Sequence, residues 1–187
     1  MSKSGFPADV AYWEAGWRDY GDAQRVARPN GHSNRLTHML AKGGIVDVPE
    51  IRWTWSSTEH LPGDMICSTD GLRVVSPLVR QILDEHRTVK DDVQWLPGAI
   101  ELATGETLPY WVPHFPVHHD FLDRENSTFG PSGIPIRYSL SAEKLSEHAV
   151  TIMPGDIVGP IILARAVVES LAEAGTTGFR VSPVTLS

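Results

Sequence analysis

Residues 71–86 read "GLRVVSPLVRQILDEH", and their reading decides the fold. The stretch predicts a strand ending near Val75, followed by a helix over about 76–86. Ser76 is placed to cap the free N–H groups of the first turn. Pro77 takes the first helical position, where its missing N–H costs nothing. Leu78, Val79, Ile82 and Leu83 then recur on one apolar face and are expected to be buried.

A similar plan returns near the C-terminus in "GPIILARAVVESLAEAGTTGFRVSPVTL", residues 159–186. It reads as strand, helix over about 164–174, glycine stop and strand, with Val167 and Leu171 facing the core. A shift of 88 places Val75, Val79, Leu83 and Glu85 on Leu163, Val167, Leu171 and Glu173. A shift of 86 places Val93, Trp95 and Pro97 on Phe179, Val181 and Pro183. Two readings stay open: a repeated strand–helix–strand unit, or the chance likeness of two amphipathic helices.

Outward from these units, "DDVQWLPGAIEL" (91–102) reads as strand, turn and strand, and "TLPYWVPHF" (107–115) as another strand. "IRWTWSS" (51–57) alternates, which puts Trp53 and Trp55 on one face of a strand. "ADVAYWEAGWRDYG" (8–21) spaces its aromatic residues as one short helix would. "RPNGHSN" (28–34) is a turn, and "RLTHMLAKGG" (35–44) a short helix stopped at Gly43-Gly44. The expected fold class is α+β, with mixed, largely antiparallel strands and two main helices. Residues 1–50 form an N-terminal arm or small subdomain in this reading, and 51–187 the main domain.

Composition narrows the function. The chain has 187 residues, 41% hydrophobic and 21% charged, as in ordinary globular domains. Sixteen Lys and Arg against 23 Asp and Glu leave a net charge of −7. No basic run is present to neutralise phosphates, so direct nucleic-acid binding is not expected. An acidic chain instead suits a partner with a basic face. Cys67 is the only cysteine, which rules out an internal disulfide and fits a reducing compartment. The N-terminal stretch has no apolar signal core, and no apolar tract reaches the ~18–20 residues of a membrane span. The expected location is the cytoplasm.

The chemistry most worth testing lies in "PHFPVHHDFLDRENS", residues 113–127. His114, His118, His119 and Asp120 are metal-ligand types, and three of them with an open position would make a catalytic site. The spacing argues otherwise. In an extended chain His118 and His119 point to opposite faces. His114 and His118 share a face but stand about 13 Å apart along it. Pro113 and Pro116 disfavour the helix that would join them. Neither a phosphate-binding glycine loop nor a nucleophile elbow is present. No catalytic, cofactor-binding or metal residue is expected, and the protein is expected not to be an enzyme.

Taken in order, "LPGDMI", "GLRVVSPLVRQILDEH", "VQWLPGAIEL", "LPYWVPHF", "FLDRENSTF", "IPIRYSLSAEKL" and "IILARAVVESLAEAGTTGFRVSPV" resemble one family. It is the bacterial polymorphic-toxin immunity family known as immunity protein family eleven. The resemblance spans about residues 60–185, roughly two-thirds of the chain. Its motifs fall at Gly63-Asp64, Val75-Ser76, Leu122-Asp123 with Ser127, and Gly175 to Val184. Ala164 departs from the Ser often found at that helix start, and Pro113 and Pro116 interrupt the segment before Leu122. The resemblance implies a cytoplasmic protein that binds and neutralises a cognate toxin, with no chemistry of its own. It carries no catalytic role onto the histidines. Asp123 and Ser127 read as a structural pair that satisfies backbone N–H groups at a turn.

The toxin partner would be basic, a nuclease for example. The rival reading is a small metal-dependent hydrolase using His114, His118, His119 and Asp120. A scaffold or regulatory module is a third. For the partner contact, Trp13, Glu14, Trp17 and Asp19 are the candidates, because aromatic anchors beside charged groups carry most binding energy. The competing role for Trp13 and Trp17 is to pin the N-terminal segment onto the domain.

Overall fold

The computed structural model describes residues 6, 7, 9–17, 28–29, 34–69, 71–133, 135–153 and 160–187. The fold is α+β. The first half of the chain runs β1 (Tyr12–Trp17), β2 (Arg28–Pro29), α1 (Asn34–Ala41), β3 (Ile51–Thr54), β4 (Met65–Cys67), β5 (Arg73–Val75) and α2 (Pro77–His86). After these come β6 (Gln94–Glu101), β7 (Thr107–His114), β8 (Leu122–Phe129), β9 (Pro135–Leu140) and α3 (Ala142–Leu145). The chain closes with β10 (Val150–Ile152), β11 (Ile161–Ala164), α4 (Arg165–Glu173) and β12 (Phe179–Pro183). No helix among the described residues is long and apolar enough to cross a membrane.

The strands make a six-stranded sheet ordered β2-β3-β6-β7-β5-β4, a four-stranded sheet ordered β10-β11-β1-β12, and the β8-β9 hairpin. Among the described strand pairs all are antiparallel except β3 with β6, and an isolated bridge between Leu140 and Leu186 is also parallel. One core unites the two larger sheets with α2 and α4, through Val75, Val79, Leu83, Leu163, Val167 and Leu171. Alternation along each strand sends the neighbouring residues to a second face. Val74 and Ile66 pack with Trp53 and Trp55 under residues 36–48. Ile162 packs with Phe121, Leu140 and Leu145 under the hairpin side.

Both long helices follow the sequence closely. The Ser76 hydroxyl accepts from the Val79 N–H, and Pro77 opens α2. Ile82, Leu83, Val167 and Leu171 are buried. Leu78 is not: it is 40% exposed, because its side of the first turn faces past the core that Val79 enters. At α4, Ala164 offers no side-chain cap. The carbonyl of Ala11 instead accepts from the Arg165 N–H.

Two further expectations need correction. Residues 91–102 are not strand, turn, strand: β6 runs unbroken through Pro97-Gly98. Pro97 is tolerated because β3 joins only from Gly98 onward, where it pairs with Ile51. Residues 12–17 are a strand rather than a helix, and they are not a peripheral arm. β1 lies between β11 and β12 in the four-stranded sheet. The aromatic spacing that mimics a helical period is the inward and outward alternation of a strand: Trp13 and Ala15 enter the central core, and Tyr12 the hairpin side.

The internal repeat is visible in the strand registers. β4-β5-β7-β6 and β10-β11-β1-β12 have the same order. Val75 pairs with Met65 and Trp111, and Leu163 pairs with Val150 and Trp13. Trp95 and Pro97 pair with Pro113 and Trp111, as Val181 and Pro183 pair with Ala15 and Trp13. Each unit is therefore a strand–helix–strand with an antiparallel strand inserted. In the first unit that strand is β7, which carries "YWVPH"; in the second it is β1, "YWEAGW". Tyr110-Trp111 and Tyr12-Trp13 occupy equivalent places.

Candidate functional site

The histidines of 113–127 separate on folding. His114 is buried at the end of β7, and its Nε2 lies 2.7 Å from the Gly44 carbonyl oxygen. That distance assigns the proton to Nε2. Burial lowers the His114 pKa, partly offset by that hydrogen bond, while His118 adds a further lowering. His118 stays on the same side, near Gly43. His119 turns the other way, with its ring 4.7 Å from His148 and 5.5 Å from Phe121. Asp120 accepts from the Leu122 N–H at the start of β8. Among the described residues no group of three His, Cys, Asp or Glu side chains is placed to hold a metal ion.

The buried polar centre beside His119 is built around Asp91. Its carboxylate accepts from the N–H groups of Thr88, Ala149 and Val150 and faces His148 Nδ1 at 2.8 Å. These bonds fasten the α2–β6 loop to the start of β10. The arrangement satisfies backbone donors inside the fold, which is a structural task.

The motif residues also converge on structure. Asp64 accepts from the Ser76 hydroxyl at 2.8 Å and from the Thr177 N–H at 2.9 Å. Three motifs distant in sequence thus meet where α2 begins and the α4–β12 loop ends. Asp123 accepts from the N–H groups of Glu125 and Asn126, and the Ser127 hydroxyl oxygen accepts from the Ser139 N–H. Hydrogen bonds from Ser187 and Asn126 hold the Asp123 carboxyl at about 2.

Of the four candidate contact residues, Trp13 is 5% exposed and packs in the central core, so it is not an exposed anchor. Glu14 is half-buried and accepts from the Tyr138 hydroxyl, whose pKa is pushed up by burial and by that carboxylate. Trp17 contributes its backbone to β1, and its side chain and Asp19 lie outside the described residues. Glu14, Arg180 and Ser182 of this sheet, with Arg73 of β5, line a pocket of about 300 Å³. Burial holds the Arg73 guanidinium down to about 10 against the opposing influence of Cys67 and Glu14.

The surface feature best suited to recognition was not among the sequence candidates. A groove of about 580 Å³ runs between α2 and β7, lined by Pro77, Arg80, Asp84, Glu85, Pro109 and Trp111. The Arg80 guanidinium lies over the Trp111 ring, 3.8 Å from its centroid, and 5.6 Å from that of Trp95. Trp95 Nε1 donates to Asp84 at 2.8 Å, and Asp84 also pairs with Arg80 and Arg87 at 3.6 and 3.3 Å. These contacts pre-order a Trp–Arg surface that remains half-exposed. Trp95 and Trp111 alternate toward the helix from adjacent strands, a signal present in the strand reading but lacking meaning until α2 was positioned over them.

The chain matches no family model and no curated protein.

Proposed function

We propose that the protein is an immunity protein that neutralises a cognate bacterial toxin in the cytoplasm by binding it directly. The observation that carries this reading is the pre-ordered Arg80–Trp111–Trp95 surface beside an open groove. Arg and Trp are the residue types that concentrate binding energy at protein interfaces. Holding them in place before the partner arrives reduces the entropy lost on association. An interface of ordinary size, about 1,600 Å² in total, would extend well beyond the groove onto its acidic surroundings. The net charge of −7 favours encounter with a basic toxin. The ordered family-like segments point the same way, and their motif residues build the scaffold rather than a reaction centre.

The test is co-expression with the product of the adjacent upstream gene, which should be toxic when expressed alone. Growth should be rescued, and the two proteins should co-purify at one to one. Arg80→Glu should weaken the purified complex by about 30-fold or more, the scale of one hot-spot residue. A neighbouring product that is harmless, or is neutralised without forming a complex, would overturn the reading.

A further inference from the structure

We infer that the Arg80–Trp111 groove docks a segment of a partner protein that carries an aromatic side chain with a basic residue beside it. This rests on reading the groove as a partner surface, and it names the chemistry of what enters. The internal repeat supplies the argument, because the second unit contains the same groove in a filled state. By strand register, Trp13 stands where Trp111 stands, and Ala11 where Pro109 does. The helix shift of 88 residues puts Arg165 in place of Pro77 and Val168 in place of Arg80.

In that second unit the occupant is the chain's own segment before β1, which turns where the Val10 N–H donates to the Pro7 carbonyl. The Phe6 ring meets Trp13 edge-on at 5.1 Å, and Val10 packs against the same core. Arg165 donates to the carbonyl oxygens of Pro7 and Val10. With the segment in place Trp13 is 5% exposed and Val168 1%. In the first unit no described segment lies over Trp111, which is half-exposed. There the planar guanidinium of Arg80 rests on the indole, and an incoming aromatic ring can stack on that guanidinium.

The rims place their charges differently, and the first groove's own lining sets the charge of the occupant. Asp84 stands where the second unit has Ala172, Gln81 where it has Glu169, and Glu85 and Glu173 correspond. Pro77 cannot donate to a bound backbone as Arg165 does. The first groove therefore relies more on side-chain complementarity, and its own carboxylates, Asp84 and Glu85, favour a basic neighbour to the aromatic residue.

The probe is the capped heptapeptide GFPADVA, residues 5–11, added to the full chain. The readout is the amide, indole and guanidinium N–H shifts. Saturable shifts are expected at the Trp111 and Trp95 indoles and at Arg80. A peptide with Phe6→Ala should produce none. A peptide with Asp9→Lys should bind about threefold tighter at low salt, the scale of one exposed ion pair. Trp111→Ala should abolish binding; if that variant does not fold, Arg80→Ala should weaken it, and the Phe6→Ala peptide tests the aromatic requirement without any change in the protein.

Shifts that are absent, indifferent to Phe6→Ala, or centred on the Trp13 indole would overturn the inference. So would Trp111 shifts that grow with protein concentration alone, since a second copy would then cover the groove. Peptide failure with toxin neutralisation intact would reject this docking mode and leave the immunity reading standing. Peptide binding without neutralisation would do the reverse.

Discussion

Burial disfavours the charged forms of His114 and His119, with the neighbouring His118 and His148 adding to the effect. Both pKa values lie below the ordinary 6.5. Below that pH the unfolded chain takes up protons that the folded chain resists. Their influence therefore leaves stability whole above pH 6.5 and erodes it as pH falls toward the folded pKa values. The urea midpoint should drop between pH 7.5 and 5.5, and His119→Phe, which keeps a ring against Phe121, should flatten the drop. A midpoint that is level or rises on acidification would refute this. Asp91 is a harsher test of buried polarity. Asp91→Ala strands three backbone donors and His148, and should cost about 3 kcal/mol or more by chemical denaturation. Gly98 is needed for space: a Cβ there would stand 2.5 Å from the Trp53 ring, which is fully buried and has no room to move. Gly98→Ala should destabilise by about 1–3 kcal/mol, lowering Tm by a few degrees.

At the scale of elements, the two helix starts solve one problem differently. Ser76 caps α2 with its own side chain and is itself held by Asp64. Ser76→Ala should cost about 1–2 kcal/mol, slightly above an isolated cap because Asp64 loses a donor as well. Ala164 cannot cap α4, and the Ala11 carbonyl serves there instead. Ala164→Ser should consequently give little gain, and a Tm rise of several degrees would contradict that. The two helices meet directly, with His86 Nε2 2.8 Å from the Ser170 hydroxyl.

For the whole molecule, the decisive feature is that the second unit is completed by the first strand of the chain. β1 fills in the four-stranded sheet the place that β7 fills in the six-stranded one. Deletion of residues 1–17 would open that sheet between β11 and β12 and uncover Leu163, Val167 and Leu171. The truncated chain should lose cooperative thermal unfolding by circular dichroism. Retention of a sharp transition near the full-length Tm would show that β1 is dispensable.

The legible part of this protein was local. Ser76-Pro77 and the apolar spacing behind them marked α2, since caps and periodicity act within a turn or two. Alternation in residues 51–57 placed Trp53 and Trp55 inward, and the repeat between 75–97 and 163–183 was visible because its helix and flanking strands lie together in sequence. His118 and His119 do part as expected, but the chain is not extended there: β7 ends at His114 and the chain bends at Pro116-Val117. Tertiary structure alone decided the rest. Whether "YWEAGW" becomes helix or strand depends on edges supplied by residues 161–164 and 179–183, far along the chain. The same pairing buried Trp13 and removed it from the surface. The match between Tyr12-Trp13 and Tyr110-Trp111 was hidden because the inserted strand precedes one unit and follows within the other. The groove arose last, once α2 was laid over β7 and brought Arg80 onto Trp111, a contact between residues whose separation in sequence carries no local signal.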